Sequence, residues 1–218
     1  MSADLPNLPI LYSFRRCPYA MRARLALQSA GLEVELREVV LKDKAPAFLE
    51  ASPSATVPCL VPCDGEAIDE SLDIMIWCLE RSDPERLLAP NGASMDEMLD
   101  LIEELDGDFK QSLDRYKYET RYSDADPVAE RDKAARFLKR VDAMLTERAW
   151  LFGDQPSLAD LAVLPFVRQF ANVDRVWFDS EQWPNLRRWL EEFLASDRFK
   201  AIMTRYPKWK AGDAATVF

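Results

Sequence analysis

Short apolar runs and one amphipathic helical pattern alternate over the first third of the chain. Residues 9–13 form an apolar run typical of a buried strand, and residues 18–30 place their apolar side chains on one helical face. Gly31 is expected to end that helix, because glycine adopts the left-handed conformation of a C-cap at no steric cost. Residues 33–37 then alternate polar and apolar positions, which predicts a second strand.

The pattern continues with a short helix over 46–51 and two strands over 57–61 and 67–69. A helix follows, for which Ser71 is the expected N-cap. The resulting order, βαβ-α-ββα, is the thioredoxin-like arrangement. We therefore predict an α/β domain over residues 1–82.

The remainder of the chain has only helical periodicity. Residues 83–94 carry two prolines and a glycine, and they predict a linker. The predicted helices span 95–122, 127–148, 158–171, 184–195 and 197–203. Residues 95–218 are therefore expected to form an all-α helical bundle domain.

One capping box lies in this second half, at Ser157-Leu-Ala-Asp160. We interpret Asp160 as an acceptor for backbone N–H groups rather than as a catalytic acid, because a capping aspartate has that role at a helix start.

Charge and composition exclude several classes of function. The 218 residues carry a net charge of −10, which argues against nucleic acid and anionic membranes as partners. No apolar run is long enough to span a bilayer, and residues 1–10 lack the pattern of a secretory leader. A cytoplasmic location is expected. Histidine is absent, which rules out Ser-His-Asp and Cys-His catalysis as well as histidine-containing zinc sites.

Cys17 is the strongest candidate for a reactive group. It lies where the first strand turns into the first helix, and Pro18 occupies the first helical position, where its missing N–H costs nothing. The positive end of the helix dipole and the nearby Arg15, Arg16 and Arg22 favour a thiolate. Comparable settings lower a cysteine pKa from about 8.5 to roughly 3.5–7.5. The alternative is a buried structural cysteine that happens to precede a helix.

The other three cysteines do not complete a redox pair. A chain of this composition favours free thiols over a disulfide framework. Cys59 and Cys63 are separated by three residues, which is the wrong spacing for a Cys-x-x-Cys motif, and Ala20 stands where a resolving cysteine would sit beside Cys17. The predicted site is monothiol.

Four short motifs occur together in an order and at spacings that identify a family. They are Cys17-Pro18-Tyr19, Thr56-Val57-Pro58, Glu70-Ser71 and the Ser157–Asp160 box. Together they resemble the cytosolic glutathione transferases, specifically the cysteine-type members that include the omega class and other glutaredoxin-like bacterial forms. The resemblance covers nearly the whole chain. It implies the glutathione transferase fold, a thioredoxin-like domain followed by a helical bundle.

The resemblance also implies where glutathione binds. The Val57–Pro58 peptide bond is expected to be cis, so that the Val57 backbone pairs with the cysteinyl part of glutathione. Ser71 would hold the γ-glutamyl carboxylate and Glu70 the ammonium group. Alternatively, Val57-Pro58 is a plain strand entry with a trans bond, and Glu70 and Ser71 merely cap a helix.

Two lysines are candidates for the glycyl carboxylate of glutathione. Lys44 matches the lysine of omega-type proteins, and Lys42 is close enough to substitute for it. Both could equally be solvated loop charges.

Other members of the family activate glutathione with a Tyr or Ser hydroxyl near the end of the first strand. Tyr12 and Ser13 lie there in this chain, but the cysteine-type alignment places Cys17 at the catalytic position. We therefore expect thiol transfer through a Cys17–glutathione mixed disulfide, with glutathione as co-substrate, no metal, and only weak conjugation. Deglutathionylation and dehydroascorbate reduction fit this chemistry. The alternative is a non-catalytic glutathione-binding or regulatory module with the same fold.

The sequence also leads to expectations for the second substrate and the oligomeric state. The partner expected is a small electrophile or disulfide, and tyrosines 116, 118 and 122 either line its pocket or serve packing. A homodimer is expected from the family and from apolar side chains on more than one face of the helices. These include Met75, Trp77, Met98 and Leu101.

Overall fold

The computed structural model describes residues 8–218. They group into two compact units. The first contains the chain up to Pro84 together with Asp197–Phe218, and the second contains Glu85–Ser196. The sequence pattern places residues 197–218 with the helical half, whereas in the structure they cluster with the first unit.

A mixed sheet of three strands forms the centre of the first unit. The strands are β1 (Ile10–Ser13), β2 (Glu35–Glu38) and β3 (Cys59–Val61), and β1 lies in the middle. It pairs in parallel with β2 and antiparallel with β3. Leu11 of β1 is fully buried in this arrangement.

The predicted strand over 67–69 is wrong as a strand. Only one bridge forms there, in which Ile68 and Leu60 exchange backbone hydrogen bonds of 2.8 and 2.9 Å. The next residue, Asp69, directs its carboxylate to Ser52 and Ser54 instead of continuing the ladder. Strand pairing therefore ends at Ile68, and the contacts of the next residue are made by its side chain.

Ten α-helices lie within the described residues. They are α1 (Pro18–Ala30), α2 (Pro46–Ala51), α3 (Ser71–Arg81), α4 (Met95–Glu104), α5 (Lys110–Lys117), α6 (Pro127–Met144), α7 (Leu158–Ala171), α8 (Arg175–Ser180), α9 (Pro184–Ala195) and α10 (Asp197–Ile202). Gly31 ends α1 in the left-handed conformation, at φ 65°, as predicted. The expectation that Ser71 caps α3 is wrong, because Glu70 occupies the N-cap and Ser71 is the first helical residue.

The long helix predicted over 95–122 is interrupted. Between α4 and α5 the chain forms a π-helical segment, Leu105–Phe109, in which Gly107 has non-helical angles of φ −87° and ψ −107°. Glycine allows this conformation because it lacks a Cβ. After α5, the residues Glu119–Arg121 form a 3₁₀ turn.

The rest of the second unit follows the pattern more closely. Helices α7 and α9 have the predicted bounds, and the Ser157–Asp160 capping box is confirmed by hydrogen bonds in both directions. Helix α6 ends four residues early, at Met144, and the short α8 has no counterpart in the prediction.

The C-terminal segment pairs with the free edge of β2. Phe218 and Val34 exchange backbone hydrogen bonds of 3.0 and 3.1 Å, and Leu36 donates to the Thr216 carbonyl at 2.8 Å. Trp209 packs edge-on against Tyr12 at 6.1 Å between ring centroids. This segment therefore covers a strand edge that would otherwise present unpaired backbone groups.

The residue-based argument for a dimer surface is wrong. Met75, Met98 and Leu101 are buried within the single chain. Trp77 is half-buried, with the Arg81 guanidinium 3.7 Å from its ring. Met75, Met98 and Leu101 are therefore already covered and need no second subunit to bury them.

Among residues 8–218, no helix combines the length and the apolar character that crossing a bilayer requires.

Candidate active site

Cys17 occupies the N-cap of α1, as predicted. Its backbone is extended, at φ −76° and ψ 124°, and Pro18 opens the helix. The Cys17 N–H donates to the Phe14 carbonyl at 2.9 Å, which closes the turn between β1 and α1. The thiol is partly exposed and lies at the positive end of a 13-residue helix.

The second predicted motif lies directly against this thiol. Cys17 Sγ is 3.7 Å from the Val57 carbonyl oxygen, and the Val57–Pro58 peptide bond is cis, as expected. Val57 belongs to a buried cluster against which the Cys17 side chain packs. Residues 40 positions apart in the chain therefore form one site.

Arg22 connects α1 to the third motif. Its guanidinium is fully buried, and Nη1 donates to the Ser71 hydroxyl oxygen at 3.3 Å. A buried cation and the N-terminus of α3 thus meet at Ser71, and both favour a bound carboxylate. Glu70, one residue earlier, is exposed at the N-cap and makes no side-chain capping bond.

The two candidate lysines lie in the loop between β2 and α2. Lys44 is half-buried and Lys42 is exposed. In the described part of the chain, no hydrogen bond joins either lysine to Cys17, Val57 or Ser71. Their assignment to glutathione stays a prediction.

Asp69 is a site residue that no sequence pattern indicated. Its carboxylate accepts hydrogen bonds from the Ser52 hydroxyl at 2.8 Å and the Ser54 N–H at 2.9 Å. Burial acts to raise the pKa of Asp69, but these hydrogen bonds outweigh it and hold the pKa below its usual range. Asp69 thereby ties the loop before Val57 to the turn before Glu70. A lone aspartate gives no sequence signal for a contact made across 15 to 17 residues.

The two hydroxyls near the end of β1 are both occupied. Tyr12 is 2% exposed, and its hydroxyl accepts from Arg37 at 2.8 Å. Ser13 is fully buried and accepts from Arg24 Nε at 2.8 Å. Cys17 is therefore the more accessible nucleophile at this end of the sheet, which agrees with its predicted role.

Comparisons with known proteins agree with this geometry. Residues 11–86 match the family model of the glutathione S-transferase N-terminal domain, and residues 92–192 match that of the C-terminal domain. A glutathione S-transferase-like protein of a Fusarium species is 30% identical over 159 residues, which are 69% of this chain and 72% of that protein. The chain belongs to the glutathione S-transferase family. It is a glutathione transferase enzyme.

Two further relatives of this transferase carry different names. Rat glutathione S-transferase omega-1 is 27% identical over 196 residues, which cover 87% of this chain and 79% of the relative. Mouse maleylacetoacetate isomerase is 28% identical over 205 residues, covering 90% and 93%.

A solved structure shows the same fold. A glutathione transferase family member from Pseudomonas fluorescens Pf-5, crystallised with two glutathione molecules bound, superposes with a TM-score of 0.78 at 24% identity. The match covers 93% of this chain and 95% of that one.

The remaining thiols of the transferase differ sharply from Cys17. Burial raises the pKa of both Cys59 and Cys78 to about 12, so neither ionises near neutral pH. Cys63 is exposed. Because Cys63 lies neither at a helix start nor in a buried setting, its reactivity can be compared with that of Cys17 within the same protein.

The three tyrosines of the transferase's second unit have packing partners. Tyr116 stacks on Phe170 with centroids 5.5 Å apart. Tyr118 and Tyr122 lie under the cationic groups of Arg121 and Arg115 at 4.3 and 5.3 Å. These contacts favour the packing alternative.

Proposed function

We propose that this transferase acts as a thiol transferase through Cys17. The observation that carries the proposal is the position of the Cys17 sulfur at a helix N-terminus and 3.7 Å from the Val57 carbonyl, while Tyr12 and Ser13 are buried and engaged. A thiolate at that point is suited to attack a disulfide. It is poorly suited to deprotonate glutathione, because it takes the place of the glutathione sulfur.

The reaction proceeds in two exchange steps. The Cys17 thiolate attacks the glutathionyl sulfur of a mixed disulfide, a Cys17–glutathione S–S bond forms, and the other thiol leaves as a thiolate. A second glutathione thiolate then attacks the glutathionyl sulfur of this adduct, forming glutathione disulfide and releasing the Cys17 thiolate. Each step breaks one S–S bond and makes one, so no outside oxidant or reductant is needed beyond glutathione. Dehydroascorbate, which two glutathione molecules reduce, is a related substrate.

Glutathione would be held by the residues around this sulfur. The Val57 backbone would pair with the cysteinyl unit like an added strand, with Pro58 fixing the chain direction after it. Because Arg22 donates to the Ser71 oxygen, the hydroxyl hydrogen of Ser71 is directed elsewhere and can donate to the γ-glutamyl carboxylate. Glu70 would take the ammonium group.

The proposal includes three further features. Lys44 would meet the glycyl carboxylate, with Lys42 as the alternative. The protein would work as a cytoplasmic homodimer, as the family resemblance implies. Its second substrate would be a small electrophile or disulfide, and conjugation would be slow.

Comparing two cysteine variants tests the function. Cys17→Ser should abolish glutathione-dependent reduction of the mixed disulfide of glutathione and 2-mercaptoethanol, whereas Cys63→Ser should keep the full rate. Undiminished reduction by Cys17→Ser would exclude the mechanism. Retention on immobilised glutathione without any turnover would instead favour the non-catalytic binding module.

A second candidate is the isomerisation of a carbon–carbon double bond by reversible addition of glutathione, favoured by the relatives named maleylacetoacetate isomerase. In that reaction glutathione supplies the nucleophile, and Cys17 is not required to form a disulfide. Isomerase activity that persists in Cys17→Ser, with no mixed-disulfide reduction in the parent protein, would select this candidate.

A further inference from the structure

A cationic cavity of about 300 Å³ lies within the first unit, beside the turn that leads into Cys17. The turn contributes Arg15 and Arg16, and the C-terminal segment contributes Arg205 and Lys208. Among the described residues, Glu38, at the end of β2, is the one carboxylate in the lining. We call this space the arginine cavity.

The Glu38 carboxylate does not neutralise the cavity. One of its oxygens accepts the Arg15 backbone N–H at 2.8 Å, and the other accepts the buried Arg24 guanidinium. Lys208, in turn, forms an ion pair with Asp43 outside the lining. With these partners included, the cavity and its surroundings hold five cationic side chains, at positions 15, 16, 24, 205 and 208, and two carboxylates, at positions 38 and 43. The positive charges therefore exceed the negative ones by three.

Two of the arginines keep their guanidinium groups for a ligand. Arg16 and Arg205 are both exposed, and within residues 8–218 neither forms an ion pair with a carboxylate. The central guanidinium carbon of Arg16 lies 5.4 Å from the Phe14 ring centroid. An arginine fork binds carboxylates in a bidentate manner, and a concave surface of one sign concentrates ions of the other. A local excess of this kind is notable in a chain whose net charge is −10.

The arginine cavity lies close in the chain to the reactive cysteine. Arg15 is two residues before Cys17, so their α-carbons are separated by at most about 7 Å. Glutathione, in the proposed function, extends from Cys17 toward Val57 and Ser71, with its glycyl carboxylate at Lys44 or Lys42, and none of these residues lines the arginine cavity. A group bound between Arg16 and Arg205 therefore belongs to the other half of a disulfide whose glutathionyl sulfur is at Cys17.

We propose that the arginine cavity selects second substrates that carry a carboxylate on the half that is not glutathione. This inference rests on the proposed function and adds the chemical class of the leaving thiol. A leaving thiol with one or two carboxylates would be bound by Arg16 and Arg205, with Arg15 and Lys208 adding charge around them.

Two mixed disulfides that share the same glutathionyl half test the inference. One joins glutathione to mercaptosuccinate, which carries two carboxylates, and the other joins it to 2-mercaptoethanol, which is uncharged. Their affinities are measured by calorimetry on a Cys17→Ser, Cys63→Ser protein, in which no accessible thiol can cleave them. The mercaptosuccinate disulfide should bind about fivefold more tightly, the size expected for partly exposed charge pairs.

Charge reversal then locates the preference. Arg205→Glu in the same background should remove the fivefold preference, and Arg205→Gln should reduce it, while affinity for the 2-mercaptoethanol disulfide stays unchanged. Lys210→Glu is the matched control, because Lys210 is an exposed cation of the same C-terminal segment outside the arginine cavity. It should leave the preference intact.

The other results distinguish a failure of the inference from a failure of the proposed function. Equal affinities in the parent protein, or a preference that survives Arg205→Glu, would exclude the arginine cavity as the binding site while the thiol transferase function stands. If neither disulfide binds, the glutathione site itself is wrong, and the inference falls with it. Binding with the expected preference but no turnover by the wild-type protein would uphold the cavity and contradict the proposed function.

Discussion

The sulfur of Cys17 lies 3.7 Å from the carbonyl oxygen of Val57, although 40 residues separate them in the chain. A carbonyl oxygen accepts a hydrogen bond from a thiol but repels a thiolate, whereas the N-terminus of α1 attracts the thiolate. A glutathione backbone that pairs with Val57 would engage this carbonyl and free the sulfur for reaction. Binding of the co-substrate and readiness of the nucleophile are thereby linked.

The four cysteines should alkylate at very different rates. With iodoacetamide at pH 6.5, Cys17 should react at least about tenfold faster than the exposed Cys63, because the helix N-terminus favours its thiolate. Cys59 and Cys78 should stay unmodified in the folded protein, since burial raises their pKa to about 12. Peptide mapping by mass spectrometry measures all four together. Equal rates at Cys17 and Cys63 would mean that the turn creates no special environment.

Glu70→Ala should raise the apparent KM for glutathione more than it lowers kcat. The exposed Glu70 carboxylate only holds the ammonium group in the proposed site, so its loss weakens binding without touching the sulfur chemistry. Asp73→Ala, at another exposed carboxylate in the first turn of α3, is the matched control and should change neither constant. A loss confined to kcat would assign Glu70 to the chemical step instead.

Asp160→Ala should lower the free energy of unfolding by about 3 kcal/mol. The buried carboxylate accepts hydrogen bonds from the N–H groups of Leu151 and Ser157 and from the Ser157 hydroxyl, at 2.6–2.9 Å. Denaturant titration measures the change, and Asp154→Ala, at an exposed position in the preceding loop, should be nearly neutral.

The cost of Asp160→Ala should also depend on pH. Burial raises the pKa of Asp160 to about 6, above the value of about 3.9 for an unfolded aspartate. Between these values the folded protein binds the proton more tightly than the unfolded chain, so this group contributes more stability below pH 4 than above pH 6. The stability difference between wild type and Asp160→Ala should therefore be larger at pH 4.5 than at pH 7.5. The opposite trend would show that the hydrogen bonds dominate over burial.

The oligomeric state can be checked directly. Light scattering at micromolar concentration should give a mass near twice the 25.0 kDa of one chain, since dimers are implied by the family. A mass that stays near 25.0 kDa as the protein is concentrated would exclude the homodimer.

Much of the fold could be predicted from local sequence patterns. Pro18 and Gly31 mark both ends of α1 because a proline opens and a glycine closes a helix by their backbone properties alone. The capping box at Ser157 was predicted correctly for the same reason. Each of these signals depends on residues within a few positions of one another.

Features that depend on distant partners were not predictable in this way. Gly107 gives no sequence sign of whether it bends a helix or is tolerated within it, so the break between α4 and α5 was missed. The pairing of Phe218 with Val34 and the bonds from Asp69 to Ser52 join segments far apart in the chain. The site motifs, in contrast, could be grouped before the structure because the family resemblance supplied their spatial relation.

Trapping the covalent adduct tests the central claim most directly. Protein incubated with the mixed disulfide of glutathione and 2-mercaptoethanol, then acidified and measured by intact mass, should carry one glutathionyl group that maps to Cys17. Adding free glutathione before the acid should remove this group, and Cys17→Ser should not acquire it. An adduct that forms equally in Cys17→Ser, or that maps to Cys63 in the wild type, would contradict the assignment of Cys17 as the nucleophile.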